Sequence, residues 1–200
     1  MLEEKILEAK QEERPIERIV FENETLIEIK GEKIDFDAVT FIKCRFIGCD
    51  FTGCCFYDCQ FEGSDFSNCN FNNSYWKNVT IKECKAEGSK FGQSIFKTVQ
   101  ITKSAFNYAN CVNTLWENSS ITDSEFKQSF LSEVKFKKIN LSCVDFTSVD
   151  FFKTPLKGID LSDCNIDNMM VSDRYSELAG VKINMFQAVE LAKLLGVKVV

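Results

Sequence analysis

The chain has 200 residues, 44% of them apolar, a formal net charge of −6 and no histidine. That length suffices for one substantial core and asks for no second domain. Without histidine the usual general base, the usual partner of a serine or cysteine nucleophile and the commonest metal ligand are all missing, so most hydrolase and metalloenzyme chemistries fall away.

The opening stretch, MLEEKILEAKQEERP, is charged almost throughout, and nowhere does the chain approach the roughly 18 apolar residues of a membrane span. A soluble, unexported, cytoplasmic protein is expected. Ten cysteines would suggest a disulfide scaffold in a small secreted protein, but a chain of this size without a signal peptide fits a reducing compartment better. The charged stretch itself reads equally as a short helix or as disorder. After it, Ile19, Phe21, Leu26, Ile27 and Ile29 read as an irregular first coil, so residues 1–33 are expected to form a charged segment and cap.

From Phe36 to Val171 every fifth residue is apolar, 28 positions without a break. A run of that length at a fixed period is an internal repeat. The place two residues earlier is small or apolar as well, as in Cys44, Cys49, Cys54, Cys59, Ser64, Cys69, Ser74 and Val79. Two side chains of every five therefore point inward and three outward. Five residues of α-helix rotate by about 500°, which smears such a stripe around the helix, and five residues of flat strand place successive apolar residues on opposite faces. Neither element buries the pattern. A chain that bends after each pentapeptide does, with its backbone groups paired to the coils above and below.

Units such as CDFTG, SDFSN, CNFNN, VDFTS and IDLSD resemble the A-(D/N)-(L/F)-x-x consensus of the pentapeptide-repeat family, continuously over residues 34–173. The resemblance implies an all-β solenoid, a right-handed quadrilateral β-helix with four pentapeptides in each coil. Residues 34–173 would then make about seven coils, a rod about 34 Å long at about 4.8 Å per coil.

Three outward places break the repeat's own rule. Tyr75, Ile95 and Leu115 stand where Asp or Asn is usual, and their spacing of twenty stacks them on one side. Such a ladder is either cross-strand packing or a docking ridge for a partner. Phe130, Phe152 and Met170 form a weaker group on the neighbouring side. The cysteines Cys44, Cys49, Cys54 and Cys59 fall on the four sides of one coil, but a thiolate metal site needs four sulfurs about 2.3 Å from one point, and Phe46, Phe51, Phe56 and Phe61 fill the space between them. They read as compact hydrophobes; no metal or other cofactor is expected. Cys49 and Cys69 stack on adjacent coils, close enough for a disulfide that a cytoplasmic protein keeps reduced, while Cys55 and Cys143 face outward.

Past Val171 the period stops. Asn184 is placed to cap a helix with Gln187 in a capping box, and Gly196 to close it. Met185, Ala188, Val189, Ala192 and Leu195 are expected to cover the last coil, with Val197, Val199 and Val200 as a final strand. Residues 174–200 thus form a helix-and-strand cap. The apolar residues beyond what a cap needs predict a homodimer, with Phe186, Val189, Leu191, Leu194, Val197 and Val199 at its interface. The segment LAGVKINMFQAVELAKLLGVKVV is similar to the tail of the Qnr-type quinolone-resistance and microcin-immunity proteins. That resemblance implies end-to-end dimerisation and binding of DNA gyrase or topoisomerase IV as a mimic of duplex DNA.

Charge argues partly against mimicry. Duplex DNA carries about one negative charge per 1.7 Å, whereas residues 77–138 of this chain carry a net +4. The alternative is an interaction scaffold with another protein partner. The carboxylates show no pairing beyond their repeat positions and a side-chain-filled rod offers no cleft, so neither an enzyme nor a small-molecule substrate is expected. Direct nucleic-acid binding ranks below protein binding, because the basic excess is small and outward aromatics do not interleave with it.

The register makes a direct prediction. Replacing Phe91 with Asp buries an unpaired charge and is expected to cost more than about 4 kcal/mol; a variant that keeps its β-type circular dichroism and its melting temperature would contradict the register.

Overall fold

The computed structural model describes residues 1–198. The chain winds into a parallel solenoid with a helix at each end, α1 (Leu2–Glu12) and α2 (Met185–Leu194). Each coil closes after twenty residues, so strands pair in parallel at that offset: Phe36 with Phe56, Phe56 with Trp76, Phe96 with Trp116. Side one, centred on Ile16, Phe36, Phe56, Trp76, Phe96, Trp116 and Phe136, is a seven-stranded sheet; side two, centred on Phe21, Phe41, Phe61, Ile81, Ile101, Ile121 and Leu141, is another. Sides three and four pair through a short two-stranded sheet and a continuing series of single bridges, such as Asp50 with Asn70 and Asn70 with Lys90.

Corners make the square. A residue with positive φ recurs two places after nearly every central residue, and most are not glycine: Lys33, Ala38, Lys43, Asp58, Asn68, Asn73 and Asn78 all sit near φ 49–59°. Left-handed geometry disfavours a Cβ, and Asn tolerates it best. Each corner turns the next central residue back toward the common axis, which is the bend that the period of five requires.

The core is a set of stacked columns. On side one Phe36, Phe56, Trp76, Phe96 and Trp116 stack ring on ring, with centroids 5.0, 4.1, 5.8 and 4.0 Å apart. Both indoles are buried and satisfied, Trp76 donating to Ser74 Oγ at 2.7 Å and Trp116 to Thr114 Oγ1 at 3.0 Å. The inward places two residues before the centres do more than fill space. Ser64 Oγ donates to Phe41 O and accepts from Cys44 N–H, and Ser89 does the same with Phe66 O and Cys69 N–H, one coil back. Thiols take the same place: Cys54 Sγ lies 2.8 Å from Gly31 O and Cys59 Sγ 3.4 Å from Phe36 O. A small side chain carrying a hydrogen-bonding atom satisfies inward backbone groups that a larger apolar one would strand.

The first coil departs from the expected irregularity. Ile16, Phe21 and Leu26 pair in register with Phe36, Phe41 and Phe46, so regular coiling begins at Ile16, not at Ile34. Gly31 hides this in the sequence: it occupies a central place and leaves the apolar period unreadable. The absent side chain is replaced from two directions. Phe51 swings its ring to 2.9 Å from where a Gly31 Cβ would sit, and α1 lays Leu2, Ile6 and Ala9 over the open end, all buried. The charged opening stretch is thus helical. Its docking is polar at the margins, through Leu2 N–H to Glu24 Oε2 at 2.6 Å and Lys10 Nζ to Glu32 Oε2 at 2.7 Å. A void of about 10 Å³ remains beneath it, lined by Leu2, Ile6 and phenylalanines of the first coils, too small and apolar to hold more than one water.

The two prolines of the chain, Pro15 and Pro155, both lie on side one, at the two ends of its ladder. In each coil the residue before the centre donates its N–H one coil back, as Leu115 does to Ser94 O and Lys135 to Thr114 O. Pro155 has no N–H to donate, and the sheet on that side stops there.

Gly31 supplies the test of this end of the rod. Gly31→Ala pushes a methyl group into the Phe51 ring and is expected to destabilise the chain by about 1–3 kcal/mol, read as a lower denaturant midpoint at unchanged slope.

Candidate functional site

Among the described residues the interior is filled, and the remaining concavities are open surface grooves. Function must therefore lie on the outside of the rod, in its four sides and its ends.

Side one carries the predicted ridge. Ile95 pairs directly with Tyr75 below and Leu115 above, continuing a column that runs Asp35, Cys55, Tyr75, Ile95, Leu115, Lys135. The three ridge residues are half-buried, and neighbours lean onto Tyr75: the Tyr57 ring lies 5.8 Å from it, and Lys97 Nζ stands 5.9 Å above it. Cross-strand packing and an outward apolar stripe are both present. The second group gathers around Asp150 on side four, where Phe130 and Met170 bridge to it above and below and Phe152 follows on the same coil. Phe130, Phe152 and Met170 are 47%, 41% and 50% exposed.

The cysteines are all free; only Cys55 and Cys143 reach the outside, as the spacing predicts. Each of Cys44, Cys49, Cys54 and Cys59 points its sulfur to a carbonyl of the preceding coil, not to a shared centre. Burial pushes the Cys54, Cys59 and Cys84 thiols up to about 12, so they stay neutral at physiological pH. Cys49 and Cys69 stack on consecutive coils on the same side as reduced thiols.

The C-terminal end differs from its expected packing. Beyond Val171 the chain makes a further partial coil, shifted by two residues: Leu156 N–H bonds Glu177 O, Leu161 N–H bonds Lys182 O, and Asp160 bridges to Lys182. Glu177 lies buried inside that shift, accepting from Lys153 N–H at 2.7 Å and Ser172 Oγ at 2.8 Å. Burial opposes its ionisation, yet these donors hold its carboxyl below the ordinary range. Asn184 and Gln187 form the predicted capping box at the start of α2. Gln187 does more: its Nε2 donates to Cys164 O at 2.6 Å, a carbonyl that the last coil would leave open, and at 2.7 Å to Leu161 O, which also accepts from Cys164 N–H.

That contact rotates α2 relative to the expected face. Gln187, buried, and Leu191 and Leu194, half-buried, turn toward the last coil, where Leu191 and Leu194 pack against the core. Met185 and Leu195, expected to cover it, are 81% and 61% exposed, Ala188 is exposed, and Val189 and Ala192 are half-buried. Phe186 at 81% and Val197 at 52% are also outside. The apolar patch at this end is therefore Met185, Phe186, Leu195 and Val197. Val197 and Lys198 form no strand; Val199 and Val200 lie outside the described residues.

These features define a closed parallel solenoid with an apolar terminal patch. Profiles of the pentapeptide repeat region and of pentapeptide repeats match residues 15–91 and 131–168, together more than half of the chain. The chain belongs to the pentapeptide-repeat family. Among solved structures it resembles two trypsin-treated variants of QnrB1, a plasmid-mediated fluoroquinolone resistance protein, at 22% identity. One match covers 94% of this chain and 100% of that one with a TM-score of 0.54, the other 93% and 98% with a TM-score of 0.49. It also resembles HetL, a pentapeptide repeat protein involved in heterocyst differentiation regulation in the cyanobacterium Nostoc, at 9% identity over 90% of this chain and 91% of that one, with a TM-score of 0.45. At such identities the likeness is one of fold. No curated protein matches at a significant level.

Sequence reading missed Gln187 and Glu177 as closing residues. Gln187 carried a signal only for the capping box, and a buried Glu in a two-residue shift carried none. Gln187→Leu keeps the size of the side chain but removes the donor to two carbonyls. It is expected to cost about 1–3 kcal/mol, visible as earlier amide exchange in the last coil than in the middle of the rod.

Proposed function

We propose that this chain is a non-catalytic, cytoplasmic, protein-binding rod that binds a type II DNA topoisomerase, DNA gyrase or topoisomerase IV, and modulates or protects it. One observation carries the reading. The same coil architecture extends end to end over 94% of the chain and the whole of a QnrB1 variant, and the tail residues resembling the Qnr type form a helix on the last coil. The fluoroquinolone resistance conferred by that relative makes drug protection the first activity to look for. Homodimerisation is part of the proposal, placed at the end of the rod where Met185, Phe186, Leu195 and Val197 stand exposed. Of the residues expected there, Phe186 and Val197 suit it best, while Leu191 and Leu194 are engaged with the last coil.

A second reading, an interaction scaffold with no topoisomerase role, is favoured by the charge on the rod. A duplex mimic should be acidic along its length, and side one instead turns basic past its middle, through Lys77, Lys97, Lys135, Lys137 and Lys157.

The deciding assay is gyrase supercoiling with the purified chain over a wide concentration range, with and without ciprofloxacin. Inhibition, or relief of drug-stabilised cleavage, is the expected result; no effect at any concentration selects the scaffold reading. In sedimentation, Met185→Lys with Phe186→Lys is expected to remove the end-to-end dimer while leaving the helical and β signals intact.

A further inference from the structure

Side one has a polarity that no other side shares. In its first two coils it presents Glu17, Asp35 and Asp37, with Asp58 at the next corner; in its last two it presents Lys135, Lys137 and Lys157, with Lys138 at the corner. None of these eight charges forms an ion pair within 4 Å among the described residues, although Lys153 pairs with Glu133 and Lys97 with Glu117 nearby. Arg18 and Lys33 at the acidic end are the local exceptions. Between the two charged ends lie Cys55, Tyr57, Tyr75, Ile95 and Leu115, all half-buried, with Lys77, Lys97 and Glu117 in the second outward column.

We propose that side one is a self-complementary interface, on which a second copy of this chain packs antiparallel about a two-fold axis through the level between Tyr75 and Ile95. The argument is geometric. Turning one rod onto another about an in-plane axis along the strands keeps each column opposite itself and reverses the order of the coils. Coils equidistant from the axis then meet. In one column Tyr75 faces the partner's Ile95, Cys55 faces the partner's Leu115, and Asp35 faces the partner's Lys135. In the other, Asp37 faces the partner's Lys137 and Glu17 faces the partner's Lys157. Every pairing occurs twice, as an isologous contact demands. One pairing is unfavourable, Lys77 against the partner's Lys97, and Lys97 already leans toward Glu117 on its own chain.

The arrangement also explains the ridge. On side one, apolar residues replace the usual Asp or Asn only in the coils that the two-fold axis brings together, while Glu17, Asp35 and Asp37 lie as far from the axis on one side as Lys157, Lys135 and Lys137 on the other; the corner charges Asp58 and Lys138 face the partner's Asn118 and the partner's Ala38, both uncharged. A foreign partner would not require that symmetry. The face is about 34 Å long and about 10 Å across its three-residue strands, small for a permanent dimer, so association is expected at micromolar protein and with strong salt dependence. The contact leaves the C-terminal patch free, and both contacts in one molecule would join end-to-end pairs side by side.

Charge exchange tests this. Asp35→Lys with Asp37→Lys gives a rod basic at both ends of side one; Lys135→Glu with Lys137→Glu gives one acidic at both ends. Each alone is expected to lose side-by-side self-association in sedimentation at low salt, and the two mixed to associate at least roughly tenfold more tightly than either with itself. The fourfold exchange in one chain is expected to restore self-association. The terminal patch is the same in every variant and contributes equally, and circular dichroism confirms that each is folded. For register, Leu115→Cys is expected to form an intermolecular disulfide with Cys55 under a mild thiol oxidant, and to lose it when Cys55→Ser is added. Equal self-association across all variants, or a fourfold exchange that fails to restore it, overturns the proposal. Loss of duplex DNA binding in Lys135→Glu with Lys137→Glu, without any change in self-association, would overturn it in favour of a polyanion on this face.

Discussion

Everything in this molecule depends on the coil closing after twenty residues. Because it does, each position lies over its equivalent in the next coil, and the backbone groups of one coil are the partners of the next. A single parallel ladder of that kind satisfies the main chain on all four sides without a crossover helix. It also turns every sequence column into a physical column: rings on rings at 4.0–5.8 Å along side one, hydroxyls and thiols on carbonyls along the inner corners, charges on charges along the outside. The corner residues in left-handed geometry are what the closure costs, and the ladder offsets it.

The same constraint makes the ends the vulnerable parts. A stack of coils exposes an open edge and an apolar cross-section at both extremities. At the first coil the solution is apolar, with α1 burying Leu2, Ile6 and Ala9 over the open end and the Phe51 ring filling the place that Gly31 leaves. At the last it is polar: Gln187 and Glu177 take up backbone groups that no further coil can reach, and α2 follows from where Gln187 must sit. The rotation that brings Gln187 inward is the one that turns Met185 and Phe186 out. The exposed patch proposed for end-to-end pairing is thus a consequence of how the ladder is closed.

Function in such a rod can come only from what the columns present. With the interior filled, recognition is distributed over flat sides a few residues wide, where charge sign along the column and one or two apolar coils decide the partner. The net charge of −6 conceals this. Side one changes sign from end to end, so a mean taken over the whole chain describes none of its surfaces.

The sequence by itself determined the repeat, the burial of two residues in five, the stacking of Tyr75, Ile95 and Leu115, the outward placement of Cys55 and Cys143, and the capping box at Asn184. The repeat and its inward and outward places follow from spacing, since a fixed period maps directly onto a fixed geometry; the stacking at twenty residues came from the resemblance to the pentapeptide-repeat family, and the capping box from Asn184 and Gln187 standing three apart. Only the tertiary structure decided where coiling begins, because Gly31 erases the apolar signal where the Phe51 ring of the next coil supplies the missing volume. It also decided that the inward serines and cysteines bond carbonyls of the neighbouring coil, and which face of α2 meets the rod. There the apolar residues lie all around the helix, and periodicity cannot choose among them. One polar side chain made the choice by reaching two carbonyls of the last coil, Cys164 O and Leu161 O, a demand that exists only once that coil is in place.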